Sequence, residues 1–323
     1  MKDYKVTVVC LTYNHGKYIE QTLKSFLMQK TDFAFKVLVH DDASKDDTPN
    51  IIRRYAEEYP EVIFPVLQEE NQLSKGVRIL DTIVMPRVDT EYMALCEGDD
   101  YWTDENKLQL QYDYMKANPE CSLCVHNTDL IRADSGAYIR TLNASNEDRE
   151  YTPDDVILAR GGGLFHTSSF LLRTEFRREF PRELRIPYVS DYTLAVYLAL
   201  SGSIHYIGKV MSAYRTGVQG SWTVRTYSDK EKTKALYDNL LAYLERLDKY
   251  TEGKYSEAIQ KAYDVNSLQR MRYLGEYRKI LMSRKMRKIL RQRPYIEKKE
   301  IWLRGLVPFA FTIKNKLKGI KRK

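Results

Sequence analysis

The sequence predicts an α/β fold: a three-layer α/β/α sandwich with a mostly parallel central sheet, followed by an α-helical C-terminal region. In the N-terminal half, apolar strand-like runs alternate with helix-spaced apolar patterns, and a short polar cluster follows the end of each of several runs. No strand pattern occurs after Tyr227. A β-α-β-α order of this kind is typical of parallel sheets covered by helices on both faces.

The first two β-α units are the clearest. A buried strand is predicted at Tyr4–Tyr13, and a turn at Asn14–Gly16 follows it. The next segment predicts a helix whose buried face comprises Ile19, Leu23, Phe26 and Leu27. A second strand is predicted at Lys36–His40, and it ends in the acidic run Asp41–Asp47.

The same order continues through residue 96. Asp47 and Pro49 indicate the start of a helix that buries Ile51, Ile52 and Tyr55. The elements expected after it are a strand at Val62–Gln68, a helix through Val77, Leu80, Ile83 and Val84, and a strand at Glu91–Cys96.

The rest of the chain divides into a mixed part and a helical part. Short strands and helices alternate from Asp104 to Arg225, among them a helix at Ser190–Gly202 with Ser190 as its N-cap. After Tyr227, apolar residues recur at helix spacing, as in Leu236, Leu240, Tyr243, Leu244 and Leu247. We therefore expect two domains, residues 1–226 and residues 227–323.

The basic charge of the chain is concentrated at its C-terminus. The formal net charge is +8, but from Arg284 onward there are 15 Lys and Arg against 2 acidic residues, a balance of +13. The remaining chain therefore carries −5. A local basic block indicates an anionic partner surface, such as lipid or nucleic acid.

Compartment signals favour the cytoplasm. No signal-peptide pattern opens the sequence, and no apolar run approaches the roughly 18 residues of a membrane span. Four cysteines are present, and we interpret Cys121 and Cys124 as buried strand residues in a reducing compartment, in preference to a redox pair or half of a zinc site.

Polar clusters follow four of the predicted strands. They are Thr12–Gly16, Asp41–Ser44, Asn71–Gly76 and Glu97–Trp102. Ligands of open α/β sheets bind beyond the carboxyl ends of the strands. The sequence therefore predicts a single binding site at this edge of the sheet.

The segment "CEGDDYW" (Cys96–Trp102) places Glu97, Asp99 and Asp100 directly after an apolar run. Solvent exposure and helix capping explain one or two of these acids, since Asp104 can cap the next helix. A hard divalent cation, Mg²⁺ or Mn²⁺, explains all three, because it takes oxygen ligands and shares them with a substrate phosphate. Both interpretations remain open at this point.

Absent motifs narrow the ligand further. The chain has no G-x-x-x-x-G-K-[ST] segment, and no G-x-G-x-x-G follows the first strand. These absences disfavour P-loop nucleotide hydrolysis and a nicotinamide cofactor. A diphosphate that is bound through a metal, and not through glycine amides, is consistent with the acidic segment and with these absences.

Three segments in order resemble the family 2 inverting glycosyltransferases, whose catalytic domain has the GT-A fold. They are "VTVVCLTYNHGKYIEQTLKSFLMQK", "VLVHDDASKDDT" and "CEGDDYW". The resemblance covers about Lys5 to Trp222 and leaves the region after Tyr227 uncovered.

The resemblance implies a role for each matching residue. The nucleotide pocket comprises Thr12, Tyr13, Asn14, one of Asp41 and Asp42 with Asp42 favoured, and Glu97 with Gly98. Asp99 is the implied metal ligand. Asp191, at the start of a helix, is the implied catalytic base. By its position alone, Asp191 is also explained as an acid that the helix dipole favours. The residues implied to line the substrates are Asp100, Trp102, His166, Arg215 and Trp222.

Two positions depart from the family pattern. Glu97 occupies the first acidic place, where the family has Asp, and Gly217 falls where a metal-binding or diphosphate-binding His is common. We expect Arg215 or a neighbour to supply the missing positive charge.

The resemblance implies transfer of a sugar from a nucleotide-diphosphate sugar, with UDP the favoured carrier, and with Mg²⁺ or Mn²⁺ as cofactor. The implied acceptor is a hydroxyl of a glycan or lipid-linked saccharide, as in bacterial polysaccharide assembly. A degenerate, non-catalytic family member is the alternative.

The C-terminal segment combines charge with apolar residues between Ile301 and Ile313. We expect it to attach the protein to the anionic inner face of the cell membrane. The alternative is a helix that packs its apolar side on the protein. A nucleic-acid partner is not expected, because no recognition motif accompanies the charge.

Overall fold

The computed structural model describes residues 2–143, 145–159, 164–186 and 190–306. The expected tail from Val307 onward lies outside these residues. The chain divides into two compact units, Met1–Arg185 with Ser190–Ser221 and Ile186–Val189 with Trp222–Lys323.

The first unit is built on one mixed sheet. Within the described residues its strands are β1 Tyr4–Thr12, β2 Ala34–Asp41, β3 Ile63–Leu67, β4 Tyr92–Leu95, β5 Tyr101–Trp102, β6 Cys121–Arg132, β7 Tyr138–Thr141, β8 Arg149–Tyr151, β9 Leu171–Arg173 and β10 Ser203–Thr216. The sheet order is β3-β2-β1-β4-β9-β6-β10-β5, with β7 beside β6 and β8 beside β10. The predicted α/β class is confirmed.

Parallel pairing is concentrated at one side of the sheet. β3, β2, β1 and β4 pair in parallel, and β6 pairs in parallel with β10. β9 joins the two parallel groups by antiparallel pairing with β4 and β6. As a result, the carboxyl ends of β1, β2 and β4 lie at one edge.

The helices of the first unit are α1 Ile19–Leu27, α2 Thr48–Glu58, α3 Lys107–Ala117, α4 Pro153–Leu158, α5 Thr174–Glu179 and α6 Ser190–Ser201. On α1, Ile19, Leu23 and Phe26 are fully buried, as predicted, and Leu27 is partly buried against the same core. Phe26 packs edge-on against Trp102, with 4.7 Å between ring centroids. The core therefore forms where the apolar face of α1 covers the sheet.

The helix predicted through Val77–Val84 is shorter than expected. A π-helical turn at Leu80–Val84 lies between 3-10 turns at Leu73–Lys75 and Met85–Arg87. Gly76 has a φ of 78° and Pro86 has no backbone N–H, so neither favours a continuous α-helix. Cys121 and Cys124 are unpaired and buried in β6, as predicted.

The second unit is helical in its described part, with α7 Trp222–Tyr227, α8 Lys230–Tyr250, α9 Ser256–Tyr273, α10 Tyr277–Met282, α11 Arg284–Arg291 and α12 Tyr295–Leu306. The five predicted apolar residues of α8 are all buried. A separate small core contains Leu268, Ile280, Leu290 and Ile301. Across the described residues, every helix is too short or too polar to cross a membrane.

Candidate active site

The carboxyl ends of three neighbouring strands bring the predicted polar clusters together. In the sheet register, Thr12 of β1 lies beside Asp41 of β2, and Val9 lies beside Leu95 of β4. Gly98 donates its backbone N–H to the Leu11 carbonyl at 2.9 Å, which fixes the acidic segment against the end of β1.

The turn after β1 is held by side chains of the turn after β2. Asn14, which has a φ of 56°, donates its N–H to Ser44 Oγ at 2.7 Å and accepts the Lys45 N–H at 2.8 Å. Gly16 donates its N–H to Asp46 Oδ2 at 2.8 Å. The Asn14 side chain is therefore part of the scaffold, whereas Tyr13 is 38% exposed and offers an aromatic face.

Asp41 and Asp42 are both buried acceptors of loop groups. Asp41 accepts the Ser44 N–H at 3.0 Å and the Ser44 hydroxyl proton. Asp42 accepts the N–H groups of Gln72 at 2.7 Å and Leu73 at 3.1 Å. These bonds join the predicted cluster at residues 71–76 to the end of β2, and they occupy oxygens that the sequence assigned to a nucleotide.

Glu97, Asp99 and Asp100 form a carboxylate cluster after β4. One oxygen from each lies within 4.8 Å of the others. Asp100 Oδ1 accepts the Arg215 N–H at 2.9 Å, whereas the buried Oδ2 has no hydrogen-bond partner among the described residues. Three clustered acids with an unmet buried oxygen could hold a divalent cation, so the residues fit the metal that the sequence predicts.

The electrostatics of the cluster agree with this interpretation. Burial, followed by the Asp99 and Glu97 charges, raises the pKa of Asp100 well above its ordinary value. The residue Glu97 is exposed, but its carboxyl group lies in the cluster. Loss of hydration at this carboxyl, followed by the charges of Asp99 and Asp191, raises the pKa of Glu97. A bound cation would reverse these shifts, because it stabilises the ionised carboxylates.

Gly98 is required by close packing. A Cβ at this position would lie 2.7 Å from Thr12 Cβ and Oγ1 and 3.0 Å from His15 Nδ1. Any larger residue would displace the turn after β1, which explains the small residue between two acids.

Arg215 braces the acidic segment from below. Its guanidinium lies between the rings of Tyr18 and Tyr101, 5.0 and 4.6 Å from their centroids. It donates to the Asp99 carbonyl and to Gln21 Oε1. Because its guanidinium donates to these two groups, Arg215 connects the acidic segment to α1.

Trp102 also lies beneath the site, although the sequence assigned it to the substrate wall. It is 1% exposed, and its Nε1 donates to the Ser168 carbonyl at 2.9 Å. The Lys107 Nζ lies 4.0 Å from its ring. Trp222, also assigned to the substrate wall, begins α7 in the second unit.

His166 reaches the cluster from the segment before β9. Its Nε2 is 3.7 Å from Asp100 Oδ2, and its ring stacks on Tyr214. Nδ1 lies 2.8 Å from Ser168 Oγ and 3.2 Å from the Ser168 backbone nitrogen, so Ser168 holds the ring in place. Burial lowers the pKa of His166 to about 3, which keeps the ring neutral.

Asp191 lies in the first turn of α6 and is half-buried. Its Oδ1 accepts the Tyr192 N–H at 2.8 Å. Burial raises the pKa of Asp191, and its charge in turn contributes to the raised pKa of Glu97. The structure thus brings Asp191 within electrostatic reach of the carboxylate cluster.

Two residues near the cluster were not singled out from the sequence. His15 Nε2 is 3.8 Å from Asp99 Oδ2, and Lys107 is fully buried under Trp102. His15 could have been found, since it belongs to the polar cluster after β1. Lys107 could not, because nothing in a helix pattern marks one lysine as buried.

Known proteins resemble this chain in sequence and in fold. The sequence model described as Glycosyl transferase family 2 matches residues 7–180. A putative teichuronic acid biosynthesis glycosyltransferase of Bacillus subtilis is 33% identical over 236 residues, which cover 72% of this chain and 86% of the relative. An uncharacterized protein of Mycobacterium tuberculosis is 33% identical over 235 residues, 70% of this chain, and the chain spans 63% of that relative's length.

Solved structures show the same GT-A fold at low sequence identity. Staphylococcus aureus TarS 1–349, in complex with UDP, superposes with a TM-score of 0.57 at 16% identity, covering 94% of this chain and 79% of TarS. A mannosyltransferase from Pyrobaculum calidifontis, in complex with GDP-Man and Mn²⁺, superposes with a TM-score of 0.52 at 16% identity, covering 96% and 90% of the two chains.

Proposed function

The chain belongs to glycosyltransferase family 2, and from this premise we propose that it transfers a sugar, with inversion, from a nucleotide-diphosphate sugar to a hydroxyl of a saccharide acceptor. The observation that supports this most is the carboxylate cluster at the shared carboxyl edge of β1, β2 and β4. The buried Asp100 oxygen without a partner and the closeness of the three carboxylates support a cation site here.

In this proposal Asp99 is the main metal ligand, with Glu97 and Asp100 beside it. A bound Mg²⁺ or Mn²⁺ would supply charge neutralisation for the departing diphosphate. The exposed ring of Tyr13 would offer a stacking surface for the nucleotide's base. The turns after β1 and β2 would form the pocket for the rest of the nucleotide.

Asp191 is the proposed catalytic base. Its carboxylate takes the proton of the acceptor hydroxyl while the acceptor oxygen bonds to the anomeric carbon. The bond from that carbon to the diphosphate oxygen breaks, and its electron pair leaves with the diphosphate. A raised pKa suits this role, because a base is most effective when its pKa approaches the operating pH.

For the donor we propose a UDP-sugar. TarS is described in complex with UDP and with UDP-GlcNAc, whereas the Pyrobaculum enzyme is described with GDP-Man, and both ligand types share a nucleoside diphosphate. For the acceptor we propose a glycan or lipid-linked saccharide of bacterial polysaccharide assembly. The Bacillus relative is named for teichuronic acid biosynthesis, which supports this choice.

The membrane partner is proposed from one helix face. On α12, Glu297, Ile301 and Gly305 point inward, whereas the large apolar side chains of Tyr295, Ile296, Trp302, Leu303 and Leu306 are exposed. Helix α11 before it has the sequence RKMRKILR. An exposed apolar face beside basic residues fits the headgroup region of an anionic membrane.

A nucleotide-sugar screen tests the donor site. We expect one nucleotide sugar to raise the thermal unfolding temperature of the full chain in Mn²⁺, and not in EDTA. Asp99→Asn should abolish the rise in unfolding temperature that depends on Mn²⁺. If every UDP- and GDP-sugar leaves the wild-type unfolding temperature unchanged in Mn²⁺, the proposed donor site is wrong.

A degenerate, non-catalytic member is the second candidate. It is favoured by Glu97 in the first acidic place and by Asp41 and Asp42, whose carboxylates already bind loop groups. Slow hydrolysis of the bound donor, seen as release of nucleoside diphosphate, would exclude it. Donor binding without any release over hours would favour it.

A further inference from the structure

We propose that His15 binds the same divalent cation as Asp99 through its Nε2, and that this nitrogen ligand makes the site prefer Mn²⁺ over Mg²⁺. The inference rests on the proposed function, which supplies a cation at Asp99 but gives His15 no role.

The position of His15 is fixed by its neighbours. Its carbonyl accepts the N–H groups of Tyr18 and Ile19, both at 2.8 Å, which ties the residue to the start of α1. The residues on either side, Asn14 and Gly16, are hydrogen-bonded to the turn after β2. The imidazole therefore projects from a braced turn.

The distance between the two side chains suits a shared cation. His15 Nε2 is 3.8 Å from Asp99 Oδ2, which is too far for a hydrogen bond. Two ligands that each bind one cation at about 2.1 Å lie about 3.0 to 3.8 Å apart when the angle between them is about 90° to 130°. The observed separation falls at the upper end of that range.

The other ring nitrogen lies beside Gly98. His15 Nδ1 is buried, has no hydrogen-bond partner among the described residues, and lies 3.0 Å from the point where a Cβ on Gly98 would be. The missing side chain at Gly98 thus makes room for the ring, and the nitrogen that faces Asp99 is Nε2.

His166 is similarly placed beside Asp100 but differs in its chemistry. Its Nε2 faces Asp100 and not Asp99, and its Nδ1 is held by Ser168, 2.8 Å from Oγ and 3.2 Å from the backbone nitrogen. The 3.7 Å between His166 Nε2 and Asp100 Oδ2 is too long for a hydrogen bond. The two histidines therefore predict different spectroscopic behaviour.

The choice of metal follows from the ligand type. Mg²⁺ is suited to carboxylate and water oxygens, whereas imidazole nitrogen suits transition metals. Mn²⁺ accepts both oxygen and nitrogen ligands, so pairing one imidazole with the Asp99 carboxylate shifts the preference toward Mn²⁺.

Pulsed EPR of Mn²⁺ bound to the full-length chain, with and without UDP, tests the inference. We expect ¹⁴N modulation from a directly bound imidazole in the wild type. In protein labelled with ¹⁵N-histidine the ¹⁴N signal should be replaced by ¹⁵N coupling, which requires no mutation. His15→Ala should lose the coupling, and the matched variant His166→Ala should keep it.

Affinity gives a second readout. Titration should show that His15→Ala weakens Mn²⁺ binding on the order of tenfold or more, with a smaller change for Mg²⁺. Thermal unfolding in EDTA checks that His15→Ala is folded. If the variant does not fold, the EPR spectrum of the wild type labelled with ¹⁵N-histidine still tests the inference.

Two results overturn the inference alone: bound Mn²⁺ without nitrogen coupling in the wild type, or coupling that persists in folded His15→Ala. If Mn²⁺ does not bind at all with or without UDP, the cation site of the proposed function fails as well. The outcomes are therefore distinguishable.

Discussion

Asp191 has two physical explanations at the residue scale. An acid in the first turn of a helix is favoured by the helix dipole wherever the helix lies. Asp191 differs from such an acid because burial raises its pKa and its charge reaches Glu97. These are the properties expected of a base beside a metal-binding cluster.

Asp191→Asn should lower sugar transfer by at least about 100-fold, since positioned proton transfer contributes that much or more. Donor binding, followed by thermal shift with Mn²⁺, should remain. Glu175→Gln is the matched control, because Glu175 is an exposed acid in the first turn of α5. Transfer by Asp191→Asn at the rate of the control variant contradicts the assignment.

Lys107 makes the stability of the protein depend on pH. Its side chain is fully buried, and its Nζ lies over the Trp102 ring. The Nζ has no hydrogen-bond partner in the described part of the chain. Burial lowers the pKa of Lys107 from an ordinary 10.5 to about 7. Below that pKa the folded state holds a buried charge, which lowers the free energy of unfolding. Between the folded pKa and 10.5 only the unfolded state binds the proton, so the free energy of unfolding rises with pH across this range.

Lys107→Met should therefore raise the free energy of unfolding most at pH 7 and below. Its advantage over wild type should shrink between about pH 7 and 10 by at most about 1.4 kcal/mol per pH unit. Urea unfolding across this range measures it. Lys116→Met on the same helix is the control, because Lys116 also lies over an aromatic ring, that of Tyr112, but is exposed. Parallel pH curves for wild type and Lys107→Met contradict the argument.

At this scale the sequence predicted which residue types would meet, but not their individual contacts. Asp99 and Asp100 follow a strand in a pattern that indicates a metal. The approach of His15 to Asp99 depends on how two distant turns are hydrogen-bonded, and the burial of Trp102 depends on α1 covering it. Neither is a local property of the sequence.

At the scale of elements, Arg215 joins three parts of the site. From β10 it contacts the backbone after β4, Gln21 on α1, and the rings of Tyr18 and Tyr101. A planar guanidinium can make these contacts at once, whereas a lysine ammonium cannot.

Arg215→Lys should lower the free energy of unfolding by about 2 kcal/mol, the value of lost hydrogen bonds to a charged group. Arg140→Lys, on the exposed strand β7, should change it by no more than about 0.5 kcal/mol. Denaturant unfolding of both variants gives the comparison. Equal stability of Arg215→Lys and wild type would show that the brace is not needed.

The elements that the sequence predicted best are those with a strong period. β1, β2 and β4 and the buried face of α1 came from apolar runs and helical spacing. A strand was also predicted at the end of the segment "FHTSSFLLR", and it is observed as β9. The π-helical turn at Leu80–Val84 was missed, because the pattern predicted a continuous helix and Gly76 and Pro86 interrupt it.

At the scale of the whole molecule, the sequence predicted an acidic part, which contains the family match, and a basic C-terminal part. The order of motifs was sufficient to identify the family. The donor sugar and acceptor could not be read in the same way, because they depend on the shape of a pocket built from several loops.

The exposed face of α12 makes a prediction about membranes. A double change, Trp302→Glu with Leu306→Glu, should reduce flotation of the full chain with anionic vesicles several-fold, since it replaces apolar area with charge. Tyr138→Glu with Ile139→Glu is the matched control, as both residues are exposed on β7. Equal flotation of the two double variants contradicts a role for α12.

The central claim is that the carboxylate cluster after β4 binds the donor through a divalent cation. Release of nucleoside diphosphate from a nucleotide sugar, measured for wild type and Asp99→Asn in Mn²⁺ and in EDTA, tests it most directly. We predict release that requires Mn²⁺ and that falls by at least about 100-fold in Asp99→Asn, because the charge on the leaving group is then no longer stabilised. Equal rates in Mn²⁺ and EDTA, with no loss in Asp99→Asn, would contradict the claim.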